Sequence, residues 1–258
     1  VLRPRIIPCL LIHEGGLVKT VGFKDPKYVG DPINAVKIFN EKESDELVVL
    51  DIDATVNGAE PDYAVIAHLA AECRMPLCYG GGVRTAAQAK RIIGLGVEKV
   101  SISAAAVERP ELISEISAEV GRQSIVVVLD VRKKRFGGYE LRTHNASRAH
   151  KLDPVEFAQE AARLGAGEIV INSIDLDGAM RGYDLKLARR VREAVGVPVT
   201  FLGGAGSLAD IEALIREVGV VGAAAGSLFV FKGSYRAVLI NYPSPDTKEQ
   251  MVRAALAA

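Results

Sequence analysis

Neither sign of charge is in excess: 32 lysine and arginine residues balance 32 aspartate and glutamate residues over 258 positions. No net field therefore recruits nucleic acid or an acidic membrane, and only a local basic patch remains open. The longest apolar runs, SIVVVLDV and VGVVGAAAGSLFVF, are too short or too glycine-rich to span a bilayer. No basic-then-apolar leader opens the chain, so the reading is of a soluble, cytoplasmic protein. Three cysteines, Cys9, Cys73 and Cys78, cannot all pair, and Cys73 with Cys78 lacks the further ligands of a zinc site. Free thiols in a reducing compartment are expected. The four histidines, His13, His68, His144 and His150, are scattered, and nothing arranges them as metal ligands. Neither a metal nor another cofactor is expected.

What the chain does have is 49% hydrophobic residues, enough for a full core at this length. Short β-branched runs alternate with amphipathic stretches of about ten to fifteen residues, the pattern of repeated βαβ units. Strands are expected to begin near Arg5, Glu46, Pro76, Lys99, Ser124, Glu168, Pro198 and Val220, with helices such as Ala86 to Leu95 and Leu185 to Val195. Eight such pairs predict a single α/β domain, a (β/α)8 TIM barrel over 1–258. The one long irregular stretch, Ile12 to Gly30, carries four glycines with Lys19 and Lys24 and is expected to be a mobile loop at the active site.

The chain also repeats itself. Glu46 and Asp53 in DELVVLDID recur 122 residues later as Glu168 and Asp175 in GEIVINSID, and Gly81 and Gly96 recur 123 residues later as Gly204 and Gly219. This predicts a two-fold duplication, with half-barrels of about 1–123 and 124–245 and a tail over 246–258.

Active sites of this fold lie at the carboxyl ends of the strands. The polar residues expected there are Asp51, Ser103, Asp130, Asn172, Asp175, Asp177 and Ser227. Glycine-rich turns follow the third and seventh strands, at Gly80 to Gly82 and Gly203 to Gly206. Ser103-Ala104-Ala105 and Ala225-Gly226-Ser227 follow the fourth and eighth. Glycines there let backbone N–H groups approach an anion at a helix start. Two such pairs suggest an elongated small molecule with a phosphate at each end. The alternative is that glycine persists from an ancestral half-barrel for packing alone. Asp130 ends the fifth strand, where a partly desolvated carboxylate is a candidate general acid or base, or a charge paired with Arg132 or an N–H group. The position matching it in the first strand is Leu11, which cannot transfer a proton. At the other end of the barrel, Arg5, Glu46, Lys99 and Glu168 open four strands, and two cations with two anions can close a ring there. The ring reads equally as a gate or as a salt-bridge plug.

These segments resemble the HisF family, the cyclase subunit of imidazole glycerol phosphate synthase, over nearly the whole chain. RIIPCL, DELVVLDID, GGGVRTAAQA, GVEKVSIS, VVVLDV, GAGEIVINSIDLDGAMRGYD and GGAGSLAD follow that family's order and spacing. The resemblance implies a barrel that takes ammonia from a HisH-like glutaminase docked on its floor, with Arg5, Glu46, Lys99 and Glu168 as the gate. It also implies substrate contacts for Lys19, Asp51, Gly81, Gly82, Ser103, Asn172, Asp177, Gly178, Gly203, Gly204, Gly226 and Ser227, with Asp130 catalytic. The departures are Leu11 for a catalytic aspartate, Ser103-Ala104 for an asparagine-threonine pair, Asn172 for a threonine and Leu202 for a serine. CLLI, GLVKTVGFKDPKYVGDPINAVKIFNEKE, CYGGG, AAGSLFVFKG and RAVLINYP are similar to the WbuZ-like, glycosyl amidation-associated paralogues. That implies ammonia supply to a sugar amidotransferase in surface-polysaccharide synthesis, with the cyclase reaction altered or lost.

Three readings stay open. One is the ammonia-channelling subunit. The second is a working cyclase and lyase of histidine biosynthesis, turning PRFAR and ammonia into imidazole glycerol phosphate and AICAR. The third is a noncatalytic partner that activates a glutaminase. A sugar-phosphate isomerase on the same duplicated barrel fits less well, because it wants a carboxylate at Leu11 and has no use for a floor gate.

Overall fold

A computed structural model describes residues 3–233 and 235–257. Eight parallel strands close a barrel: β1 (Arg5–His13), β2 (Leu47–Asp51), β3 (Leu77–Gly80), β4 (Lys99–Ile102), β5 (Ile125–Lys133), β6 (Glu168–Ser173), β7 (Val199–Leu202) and β8 (Gly222–Ala225). Each pairs with the next in sequence, and β8 returns to β1 through Arg5 opposite Gly222. The strands start at the expected residue or within two positions of it. Pro76 and Pro198 fall just outside, since proline has no N–H to give to a ladder.

Helices lie between the strands: α1 (Pro32–Glu41), α2 (Tyr63–Glu72), α3 (Ala86–Gly94), α4 (Ala104–Glu108), α5 (Glu111–Val120), α6 (Pro154–Leu164), α7 (Leu185–Ala194) and α8 (Leu208–Val218). After β8 come α9 (Ser227–Val230) and α10 (Pro245–Leu256). Their starts are written in the chain. Thr85 with Gln88 and Ser207 with Asp210 form capping boxes, and Asp31 and Asp153 cap helices whose first residue is proline. The segment after residue 245 is helical and buries Met251 and Ala255.

Alternation along the strands divides the apolar residues into two layers. On β1, Ile6 and Leu10 pack against the helices, whereas Ile7 and Cys9 point into the barrel. On β5, Val127 and Leu129 face out while Val126 and Val128 face in. Covering on both faces is why these strands read as continuous apolar runs. Cys9, Cys73 and Cys78 are all free thiols, and burial pushes Cys9 and Cys73 up to about 11. Among the described residues no helix is long and apolar enough to cross a membrane.

The expected mobile loop is instead a β-meander. β1 runs on to His13, and strands Gly16–Val21 and Lys24–Gly30 follow antiparallel. Both turns have two central residues at positive φ, Glu14 (49°) with Gly15 (77°) and Gly22 (60°) with Phe23 (64°). Such turns match the twist of a hairpin, so two of the glycines that suggested mobility are hairpin turn residues. Asp177, after β6, holds the second turn: its carboxylate accepts from Thr20 Oγ1 at 2.6 Å and Phe23 N at 3.1 Å, and its carbonyl from Gly22 N at 3.0 Å. β5 is extended likewise by antiparallel strands Tyr139–Thr143 and Arg148–His150.

A Thr20→Val substitution is expected to speed amide hydrogen exchange across Gly16–Val21 while costing about 1 kcal/mol or less in global stability. Unchanged exchange in the hairpin would show that Asp177 does not hold it.

Candidate active site at the barrel mouth and the ring at its floor

The floor is closed by four charges. Arg5 donates to Glu46 and to Glu168, the latter at 2.6 Å, and Lys99 Nζ donates to Glu46 at 2.7 Å and to Glu168 at 2.9 Å. Thr200 Oγ1 adds a bond to Glu168 at 2.5 Å. Each cation thus bridges both carboxylates, and the ring has no open member. Burial alone would raise Glu168, but Arg5, Lys99 and Thr200 outweigh it and hold the carboxyl down at about 2. Burial likewise opposes the charge on Lys99, and the two glutamates overcome it and raise its pKa.

At the carboxyl ends of the strands a cavity of about 250 Å3 opens. The thirteen residues that the resemblance implies as catalytic or substrate contacts all line it, from Lys19 and Asp51 through Asp130 to Gly226 and Ser227. Asp175, also expected there, does not; it accepts from Lys133 N at 2.8 Å and faces Arg132 at 3.9 Å. That contact removes Arg132 as the partner of Asp130.

Asp130 is set by strand register. It lies opposite Asn172 on β6, and Asn172 Nδ2 donates to its Oδ1 at 2.8 Å. Burial pushes the carboxyl up to about 7, with Asp177 adding to the rise and bonds from Asn172 and Ser103 holding it down. A carboxyl of this kind exchanges a proton near neutral pH. Leu11 lies opposite Leu50 on β2 as Asp130 lies opposite Asn172. With Leu202, these two leucines make one side of the cavity apolar where the Asp130 side is polar.

The other polar groups are partly engaged. Asp51 Oδ1 accepts from Asp53 N at 2.9 Å and Ala54 N at 3.1 Å, which forms the turn after β2. Lys19 is buried and donates to Cys9 O at 2.5 Å; burial lowers its pKa, with Cys9 and Asp177 countering. A Cβ on Gly226 would come within 2.8 Å of Lys19 Nζ, and one on Gly204 within 2.1 Å of Gly182 O. Gly204 therefore has a packing reason of its own, since the atom it would meet is backbone. Thr20, Arg84, Glu108, His144 and Asn145 also line the cavity and were missed. They sit on turns and hairpins whose approach to the mouth depends on tertiary packing. The alternation in YELRT was the one local signal for the second hairpin.

Among the described residues, no group of three or more histidine, cysteine or acidic side chains could hold a metal ion. The family model described as histidine biosynthesis protein matches residues 5–236. A Vibrio vulnificus protein provisionally named imidazole glycerol phosphate synthase subunit hisF3 is 58% identical over 250 residues, covering 96% of each chain. A Pseudomonas aeruginosa protein provisionally named subunit hisF2 is 53% identical over 94% of this chain and 96% of its own. Imidazole glycerol phosphate synthase subunit HisF of Streptomyces coelicolor is 42% identical over 89% and 91%.

Two stability predictions follow from the charges. Glu168→Gln leaves the floor cations short of a partner and is expected to cost roughly 3 kcal/mol in urea unfolding at pH 7. Because the folded carboxyl is depressed, that contribution is complete above its unfolded value of 4.5 and fades as pH falls toward about 2. Asp130 has the opposite sign: its raised carboxyl favours the fold below 3.8, and the benefit is lost as pH rises through about 7. Asp130→Asn is therefore expected to be more stable than wild type by roughly 2 kcal/mol at pH 8 and to lose that advantage near pH 4. An advantage that does not vary with pH would contradict the raised carboxyl.

Proposed function

Because the chain belongs to the histidine biosynthesis protein family, among the HisF-like subunits of imidazole glycerol phosphate synthase, we propose that it is an ammonia-accepting synthase subunit whose cyclase chemistry is altered or lost. Its partner is a HisH-type glutaminase seated at the floor. Ammonia enters at the Arg5–Glu46–Lys99–Glu168 ring, passes up the barrel and emerges at the mouth beside a phosphorylated small molecule.

The observation that carries the reading is a complete ring at one end combined with Leu11 at the other. Between them the interior is lined by Ile7, Val48, Val126, Val128, Val170 and Ala224. Such a lining suits neutral ammonia and opposes ammonium, since an isolated cation loses far more hydration than a small neutral molecule. At the mouth, loss of one of two proton-transfer groups costs roughly 10²- to 10⁴-fold in rate.

The paralogue reading draws support from the relatives. Those with provisional names are 52 to 58% identical, whereas the Streptomyces HisF subunits are 41 to 42% identical. We take the final acceptor to be a surface-polysaccharide sugar, amidated in the cytoplasm by a sugar amidotransferase. The 122-residue spacing, together with the like placement of Leu11 against Leu50 and Asp130 against Asn172, supports two half-barrels within one domain. It also supports a ligand with a phosphate at each end.

One observation favours a second reading, a working cyclase and lyase. Asp130, held near neutrality by its surroundings, is suited to give up and regain a proton without a partner on β1.

Steady-state turnover of PRFAR with saturating ammonium separates the two. The expected result is wild-type turnover at least 10²-fold below that of Leu11→Asp. Rapid wild-type turnover that is abolished by Asp130→Asn and unimproved by Leu11→Asp would establish the second reading instead.

A further inference from the structure

The hairpin that extends β5 has no role in the chemistry above, yet its turn reaches the mouth. His144, Asn145 and Ala146 all lie in the left-handed region, at φ of 54°, 51° and 65°. Three successive non-glycine residues there form a strained turn that its surroundings must hold. Asn145 Nδ2 donates to Ile52 O at 2.9 Å, tying the turn to the segment after β2. Ser147 donates to His144 O through both N (3.1 Å) and Oγ (2.7 Å). The turn thereby brings His144 into the cavity wall with Ser103, Ala104 and Glu108.

One edge of the imidazole is gripped. Nδ1 lies 3.1 Å from Thr143 Oγ1 and 3.7 Å from Glu108 Oε1. Thr143 is fully buried and also meets His150 Nε2 at 2.9 Å, while Arg148 reaches Glu108 at 3.2 Å. The other edge is open: no described residue hydrogen-bonds Nε2, and that atom is not sealed from solvent. This ring is therefore positioned by its neighbours and presents one nitrogen.

We infer that His144 contacts the ligand and sets specificity, its Nε2–H donating to an oxygen of a phosphate monoester seated between the Gly81–Gly82 turn and Ser103–Ala104. The inference rests on the phosphorylated ligand of the proposed function. At this end Ser103 turns its hydroxyl to Asp130, Ala104 has none, and Arg84 spends donors on Gly58 O (2.9 Å) and Ala59 O (3.1 Å). Both of those bonds come from Arg84 Nη2, and the imidazole adds a further uncommitted side-chain donor at that end. A phosphate at Nε2 would sit across the ring from the edge that Thr143 Oγ1 grips at 3.1 Å.

The test is to titrate the full-length 15N-labelled protein with ribose 5-phosphate, following the imidazole nitrogens and backbone amides by NMR. The chain has four histidines, so His144 is assigned from single variants. The expected result is a saturable shift of His144 Nε2, with affinity roughly tenfold weaker in His144→Gln and unchanged in His68→Gln. Shifts at the Gly203–Ala205 and Gly226–Ser227 amides without a change at His144 would overturn the inference and leave the phosphorylated ligand standing. Shifts nowhere would overturn both.

Discussion

A closed parallel barrel has one interior, and that interior cannot hydrate a charge along its length. Each inward position between the two ends is consequently apolar or small, as Ile7, Val48, Val126 and Ala224 are, and charge is pushed to the ends. Only there can it be neutralised by a neighbouring strand or by solvent. The two charged regions of this molecule are therefore consequences of closure. The ring at the floor and the cavity at the mouth occupy the two places where the fold tolerates ionisable side chains at all.

The ends solve the problem in different ways. At the floor, opposite charges cancel one another within hydrogen-bond distance, and Glu168 is locked as an anion. At the mouth, Asp130 receives only neutral donors, from Asn172 and Ser103, and is left near its titration point. The same residue class thus becomes inert at one end and labile at the other, by choice of neighbour alone. Leu11 sharpens the contrast, since it leaves the end of β1 without a carboxyl to match Asp130.

The ring was legible in the chain because each of its four members opens a strand or, like Glu46, stands directly before one, with Glu168 leading the apolar run Ile169–Ile171. Strand positions were legible for the same reason, the change from polar to β-branched residues being abrupt. The Asp130–Asn172 bond was not, because it depends on β5 and β6 meeting in a particular register across 42 residues. The hairpin after β1 is hard to read from the chain for a specific cause: Gly15 and Gly22 suggest mobility, and LVKTV, buried from Leu17 through Thr20, lacks the alternation that marks a strand. Glycines at the mouth carried a similar ambiguity. Gly204 is required by the carbonyl of Gly182 before any ligand is considered.

The two hairpins bear on how the mouth works. One grows from β1 and the other from β5, and each is tied to another part of the rim, one through Thr20 to Asp177 after β6 and the other through Asn145 to Ile52 after β2. These two bonds lace the rim across the mouth. Apolar Leu11, Leu50 and Leu202 stand on one side and Asp130, Asn172 and His144 on the other. The mouth therefore sets an apolar wall against a carboxyl that exchanges a proton near neutral pH.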